Sequence, residues 1–84
     1  MQRLTTRADP AASSDPERIV LLDGVPVGTV IQDRSMRPLC WLAYDAVANR
    51  GDSFRGAGCG WGKTPLEAAR TLPAVVRAIG DGQL

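Results

Sequence analysis

Apolar positions along this chain follow two periods, and the change from one to the other divides the molecule. From Arg18, Ile19-Val20-Leu21-Leu22 is a β-branched and aliphatic run and Asp23-Gly24 is a strong two-residue turn. Val25, Val27, Thr29 and Ile31 then alternate against Pro26, Gly28 and Val30. This pattern predicts a β-hairpin. Pro26 has no N–H to give to a ladder, so it belongs on an edge or facing outward. Gln32 to Arg37 is polar and reads as a loop carrying Arg34 and Arg37.

Pro38 to Val47 sets Leu39, Trp41 and Ala43 on one parity and Cys40, Leu42, Tyr44 and Ala46 on the other. Both are largely apolar, as in a strand inside a sheet. Ala48 to Asp52 is a turn, and Ser53 to Gly60 returns as a fourth strand with Phe54, Gly56, Gly58 and Gly60 on one parity. A symmetric hairpin about Asn49 and Arg50 sets Cys40 opposite Cys59 and Trp41 opposite Gly58, and a longer loop shifts that register. In any such register Trp41 or its neighbours lie over glycines, which leave room for an indole.

After Thr64 the period lengthens. Leu66, Ala69, Leu72, Val76 and Ile79 recur every three or four residues while Glu67, Arg70 and Arg77 point elsewhere, which predicts a helix over Pro65 to Ile79 with one stripe for a sheet. Thr64 caps it, Pro65 takes the first helical position and Glu67 stands three residues after the cap. Pro73 kinks or divides the helix, and Gly80-Asp81-Gly82 ends it. Met1 to Glu17, with Pro10, Pro16 and Ala11-Ala12-Ser13-Ser14, has too few large apolar residues to offset the entropy of ordering, and reads as a flexible tail. The predicted fold is α+β: a four-stranded antiparallel sheet made of two hairpins, with one C-terminal helix packed on it. Residues 1–17 are the tail and 18–84 a single ββββα domain.

Composition narrows the function. Eighty-four residues make one domain, which at this size buries only about 60% of its unfolded surface, so a large catalytic cleft is not expected. Ten basic against nine acidic residues leave a net charge of +1, too little for a protein held to nucleic acid mainly by bulk electrostatics. The absence of histidine removes the commonest general base and the commonest metal ligand. Two cysteines, Cys40 and Cys59, are too few for a sulfur zinc site or a secreted disulfide scaffold; they read as two buried thiols, with a cross-strand disulfide as the alternative. No metal and no cofactor are expected, and the protein is not expected to be an enzyme. Without an apolar run of membrane-spanning length, the expected location is the cytoplasm. Basic residues that are arginine except for Lys63, together with abundant alanine, fit a GC-rich bacterial or phage genome.

One stretch reads in two ways. Ala57 to Thr64 fits a loose phosphate-binding loop, with Gly58, Gly60 and Gly62 for flexibility, Lys63 for charge and Thr64 for a hydroxyl. The context opposes an NTPase: the motif follows an antiparallel hairpin, and no parallel α/β sheet can be built around it. Nucleotide binding at 57–64 is the remote alternative, and an anion site at Lys63 and Thr64 the weaker form of it. Arg50-Gly51-Asp52 matches an adhesion tripeptide and is read as a turn. Arg34, Arg37, Arg50 and Arg55 with Lys63 form either a rim, with Trp41, Tyr44 or Phe54 as stacking surfaces, or a solvated surface neutralised by Asp33, Asp45 and Asp52.

Leu22-Asp23-Gly24-Val25-Pro26-Val27-Gly28-Thr29-Val30, Trp41-Leu42-Ala43-Tyr44 and Gly62-Lys63-Thr64-Pro65-Leu66-Glu67-Ala68-Ala69 together resemble short prophage, plasmid and integrative-element proteins. In those proteins a small sheet ends in a Gly-x-Thr-x-x-Glu-Ala helix. The arm-binding domain of tyrosine recombinases is similar in pairing a three-stranded sheet with one helix, and that resemblance implies a sheet placed in the DNA major groove. Resemblance to anti-CRISPR proteins implies an inhibitor that masks a protein surface. The expected function is therefore a non-enzymatic interaction domain of a mobile element, binding a host or phage macromolecule stoichiometrically, with protein favoured over nucleic acid. The alternative is a DNA-binding accessory factor. Trp41, Tyr44, Phe54, Arg50 and Arg55 are the candidate anchors, with Trp61, Arg34 and Arg37 beside them. Free sheet edges leave a homodimer open as an assembly.

Overall fold

Two consecutive residues with positive φ, Asp23 at 54° and Gly24 at 81°, form the tight turn that an Asp-Gly pair favours because its backbone twist matches the flanking strands. The computed structural model describes residues 2–8, 17–35, 38–45 and 58–84. These contain the strands β1 (Leu4–Ala8), β2 (Glu17–Leu22), β3 (Val25–Asp33), β4 (Cys40–Tyr44) and β5 (Gly58–Gly62), then the helices α1 (Pro65–Ala69) and α2 (Pro73–Gly80). The strands form one antiparallel sheet in the order β1-β2-β3-β4-β5. The fold is α+β, as the two periods predict, but the helical residues that are buried are Ala68, Ala69, Leu72, Val75 and Ala78. Leu66, Val76 and Ile79, expected on the sheet-facing stripe, are exposed because the division at Pro73 turns the two helices separately.

Two details differ from expectation. The sheet has five strands where four were predicted, because Leu4–Ala8, expected within a flexible tail, pairs along β2 from Leu4–Leu22 to Ala8–Arg18. Polar contacts add to this ladder and to the packing of Leu4 against the core. Arg18 donates from Nε to Thr6 Oγ1 at 2.7 Å and from its terminal nitrogen to the Thr6 carbonyl at 3.1 Å, while the Asp23 N–H donates to the Arg3 carbonyl at 2.8 Å. The single predicted helix is two helices, divided where Pro73 begins the second with Leu72 as its N-cap. Proline cannot continue the hydrogen bonds of a preceding helix but is preorganised to open a new one.

The sheet is curled. α1 packs against β5, β4 and β3 and also against β1, although five flat strands would hold their outer members about 19 Å apart. Val20, Val30 and Ala43 from the concave face meet Ala68, Ala69, Leu72 and Val75 from the helices in the buried core, with Leu4, Val27, Trp41 and Cys59 packed at its margin. Glycines permit this approach. A Cβ on Gly28 would fall 2.6 Å from the Tyr44 carbonyl, one on Gly60 2.7 Å from Thr71, and one on Gly62 2.5 Å from the Ala68 nitrogen. The expectation that these glycines leave room for an indole is thus corrected: at Gly60 and Gly62 the space is taken by the helical layer.

The β4–β5 register is also shifted. Trp41 faces Gly62, Leu42 faces Trp61, Ala43 faces Gly60, and beyond a bulge Tyr44 faces Gly58. Cys40 pairs across β3 with Asp33, not with Cys59, and both cysteines are free thiols. Trp41 and Tyr44 do lie opposite glycines, but four and three positions further along, respectively, than a symmetric turn at Asn49 and Arg50 would place them. The predicted turn Ala48 to Asp52 lies outside the described residues, as do the remainder of the predicted tail over 9–16 and most of the predicted fourth strand.

Candidate interaction surface

Alternation along the strands sorts the candidate residues by face. Val30, Ala43 and Gly60 pair in a row and belong to the concave, helix-covered face; Ile31, Leu42 and Trp61 pair in the adjacent row and belong to the convex one. Tyr44, two residues from Leu42, shares that convex face, and its ring carbon Cε1 comes within 3.8 Å of where a Cβ on Gly58 would lie. Ile31, Leu42 and Tyr44 are half-buried, and Trp61 is 62% exposed. Neither β4 nor β5 contains a charged residue. The result is an apolar row that deepens inward from an indole on the edge strand. Its flanking glycines add no side chains to shield that indole.

Trp41 stands apart from this group. It faces Gly62 and packs against the core, so the structure separates it from Tyr44 and Trp61, with which it was grouped as an anchor. Arg34 is exposed in the turn after β3, where the Asp33 carboxylate accepts bonds from the Ser35 N–H at 2.9 Å and the Ser35 hydroxyl at 2.6 Å. Those two bonds hold the Asp33 carboxyl below its usual range. Arg37, Arg50, Phe54 and Arg55 lie outside the described residues. The residue that sequence reasoning underrated is Leu42: its parity was visible, but only the register places it beside Trp61.

Lys63 and Thr64, the expected anion site, are both exposed at the start of α1. Thr64 Oγ accepts the Glu67 N–H at 3.1 Å, so the hydroxyl caps the helix as its spacing from Pro65 and Glu67 predicts. The backbone before it is packed rather than open, since Gly62 lies directly under the Glu67–Ala68 peptide. Replacing Thr64 with alanine is expected to cost about 1 kcal/mol through loss of the cap, read as a lower urea midpoint at unchanged slope. An unchanged midpoint would show that this cap contributes nothing.

The thiol of Cys59 is pushed up from its ordinary value, first by burial and then by the negative charge of Asp45. It therefore stays protonated near neutral pH, a state with little nucleophilic character. Among the described residues no group of three or more cysteines, aspartates or glutamates is placed to hold a metal ion. No helix among them is long and apolar enough to cross a membrane. Comparison with protein-family models, with curated proteins and with solved structures found no match to the chain.

Proposed function

We propose that the protein is a non-enzymatic interaction domain that binds a macromolecule stoichiometrically through the convex face of its sheet, with protein favoured over nucleic acid. One observation carries the reading: Trp61 stands 62% exposed at the edge of an uncharged pair of strands, continuous with Leu42 and Ile31. Tryptophan is among the residues most enriched at interface hot spots, and a small domain gains nothing in its own stability from leaving such a residue in water. The absence of charge on β4 and β5 favours a protein surface over a phosphate backbone, which is bound chiefly by lysine and arginine. The resemblance to mobile-element proteins supports a host or phage macromolecule as the target.

The test uses the full chain, tagged and expressed in its native host. A partner captured by the parent is expected to be lost with Trp61→Ala, with affinity falling at least about 30-fold as for a hot-spot residue. Lys63→Ala should leave capture unchanged, and the urea midpoint of Trp61→Ala should stay near that of the parent because an exposed side chain holds little of the fold together. Equal capture by parent and Trp61→Ala would remove this face from the account. Retardation of duplex DNA that weakens steeply with salt would instead favour the DNA-binding accessory factor.

A further inference from the structure

On the opposite side of the molecule, where the chain enters β1 beside the corner between α1 and α2, a groove of about 470 Å³ is lined by Gln2, Arg3, Leu4, Arg70, Ile79 and Leu84. Backbone bonds tie the segments that form it. The Asp23 N–H donates to the Arg3 carbonyl, the Gln2 N–H to the Gln83 carbonyl and the Gln83 N–H to the Ala78 carbonyl. The lining has two chemical characters. Leu4, Ile79 and Leu84 supply an aliphatic floor, and Ile79 is 48% exposed on it. Arg3 and Arg70 are exposed on the same groove, and among the described residues neither guanidinium has a hydrogen-bond or ion-pair partner. The dipole of α1 accounts for an arginine at its C-terminal cap. It does not account for a second unpaired arginine on the same groove.

We propose that this groove binds an aliphatic monocarboxylate, with the carboxylate between Arg3 and Arg70 and the chain along Leu4, Ile79 and Leu84. The volume falls within the range of small-molecule sites, which combine an apolar lining with a few polar groups that fix orientation. Guanidinium forks match a planar carboxylate. A phosphate ester fits less well, because among the described residues Gln2 is the one other polar side chain lining the groove for its additional oxygens.

The test is an NMR titration of the full chain with hexanoate, octanoate and decanoate below their micelle concentrations, with acetate, decanol and decyl phosphate alongside. Saturable shifts are expected at Gln2, Arg3, Leu4, Arg70 and Ile79. Affinity should rise about tenfold for each two methylenes that become buried. The double variant Arg3→Gln/Arg70→Gln is expected to keep a dispersed spectrum and bind decanoate about tenfold more weakly, the scale of two partly exposed ion pairs. Decanol binding as tightly as decanoate, decyl phosphate binding more tightly, or no saturation at any chain length would overturn the proposal. Shifts centred on Leu42 and Trp61 would do the same. Trp61→Ala should leave decanoate binding unchanged, so this proposal and the protein-binding reading can fail separately.

Discussion

Gly62→Ala is expected to lower the stability of the fold by about 3 kcal/mol, at the upper end of the usual cost of overpacking. The added methyl would sit 2.5 Å from the Ala68 nitrogen and 2.7 Å from the Glu67 carbonyl carbon. Both are backbone atoms of α1, so no side chain can rotate away and the helix itself must lift off β5. Because α1 also packs on β4, β3 and β1, lifting it loosens contacts across the whole concave face. The matched control is Gly80→Ala at the end of α2, where a methyl meets nothing within 4 Å and helix propensity should add about 0.5 kcal/mol. Urea unfolding of the two variants beside the parent reads both numbers from the midpoints at constant slope. A Gly62→Ala midpoint indistinguishable from that of the parent would mean that α1 does not press on β5 as described.

Leu72→Ala should be at least as damaging. Leu72 is the largest fully buried side chain among the described residues, at 0% exposure; it stands at the N-cap position of α2 without a side-chain capping bond, and its methyls reach the space above Gly28. Truncating a buried leucine costs about 2–5 kcal/mol, more where neighbours cannot close the cavity. The cluster around Leu72 combines Ala43, Ala68 and Ala69 with the β-branched Val20, Val30 and Val75, short or stiff side chains that cannot extend into the gap. In a domain of this size the melting temperature should fall by at least about 10 °C. A fall of only a degree or two would show that the core is centred elsewhere.

Local chemistry was readable wherever one short segment decides the outcome. Asp23-Gly24 specifies its turn whatever surrounds it, Thr64-Pro65-Leu66-Glu67 sets the start of α1, and Pro73 forces the break before α2. β1 was not readable for a physical reason. Leu4-Thr5-Thr6-Arg7-Ala8 has one aliphatic residue of any size, and its partners are remote: the β2 ladder, the core under Leu4, and Arg18, twelve residues from Thr6. The only local signal was the β-branched pair Thr5-Thr6, too weak against the surrounding prolines and serines.

The site was legible by residue type but not by face. Tryptophan, tyrosine and arginine mark candidate anchors in any sequence, yet a shift of one residue in register moves a side chain to the other side of the sheet. The β4–β5 register differs from the symmetric one by four residues at Trp41 and by three at Tyr44, because a bulge intervenes. Alternation within β4 alone sends Trp41 to the margin of the core and Tyr44 to the convex face, whereas the presence of Trp61 beside Leu42 follows only from the register. The glycines were misread for a related reason. Their alternation was plain, but the layer that needed the space was the helical one, fixed by contacts remote in sequence.

The placement of α1 against both β1 and β5 also governs the order in which the molecule is completed. Each strand meets the one before it, so the sheet can form as the polypeptide emerges from the ribosome, N-terminus first. The residues that cover Val20, Val30 and Ala43 follow all five strands in the chain. Until α1 and α2 have cleared the exit tunnel, the nascent chain presents a bare apolar hollow to solvent, and that interval is when it is most exposed to self-association and to chaperones.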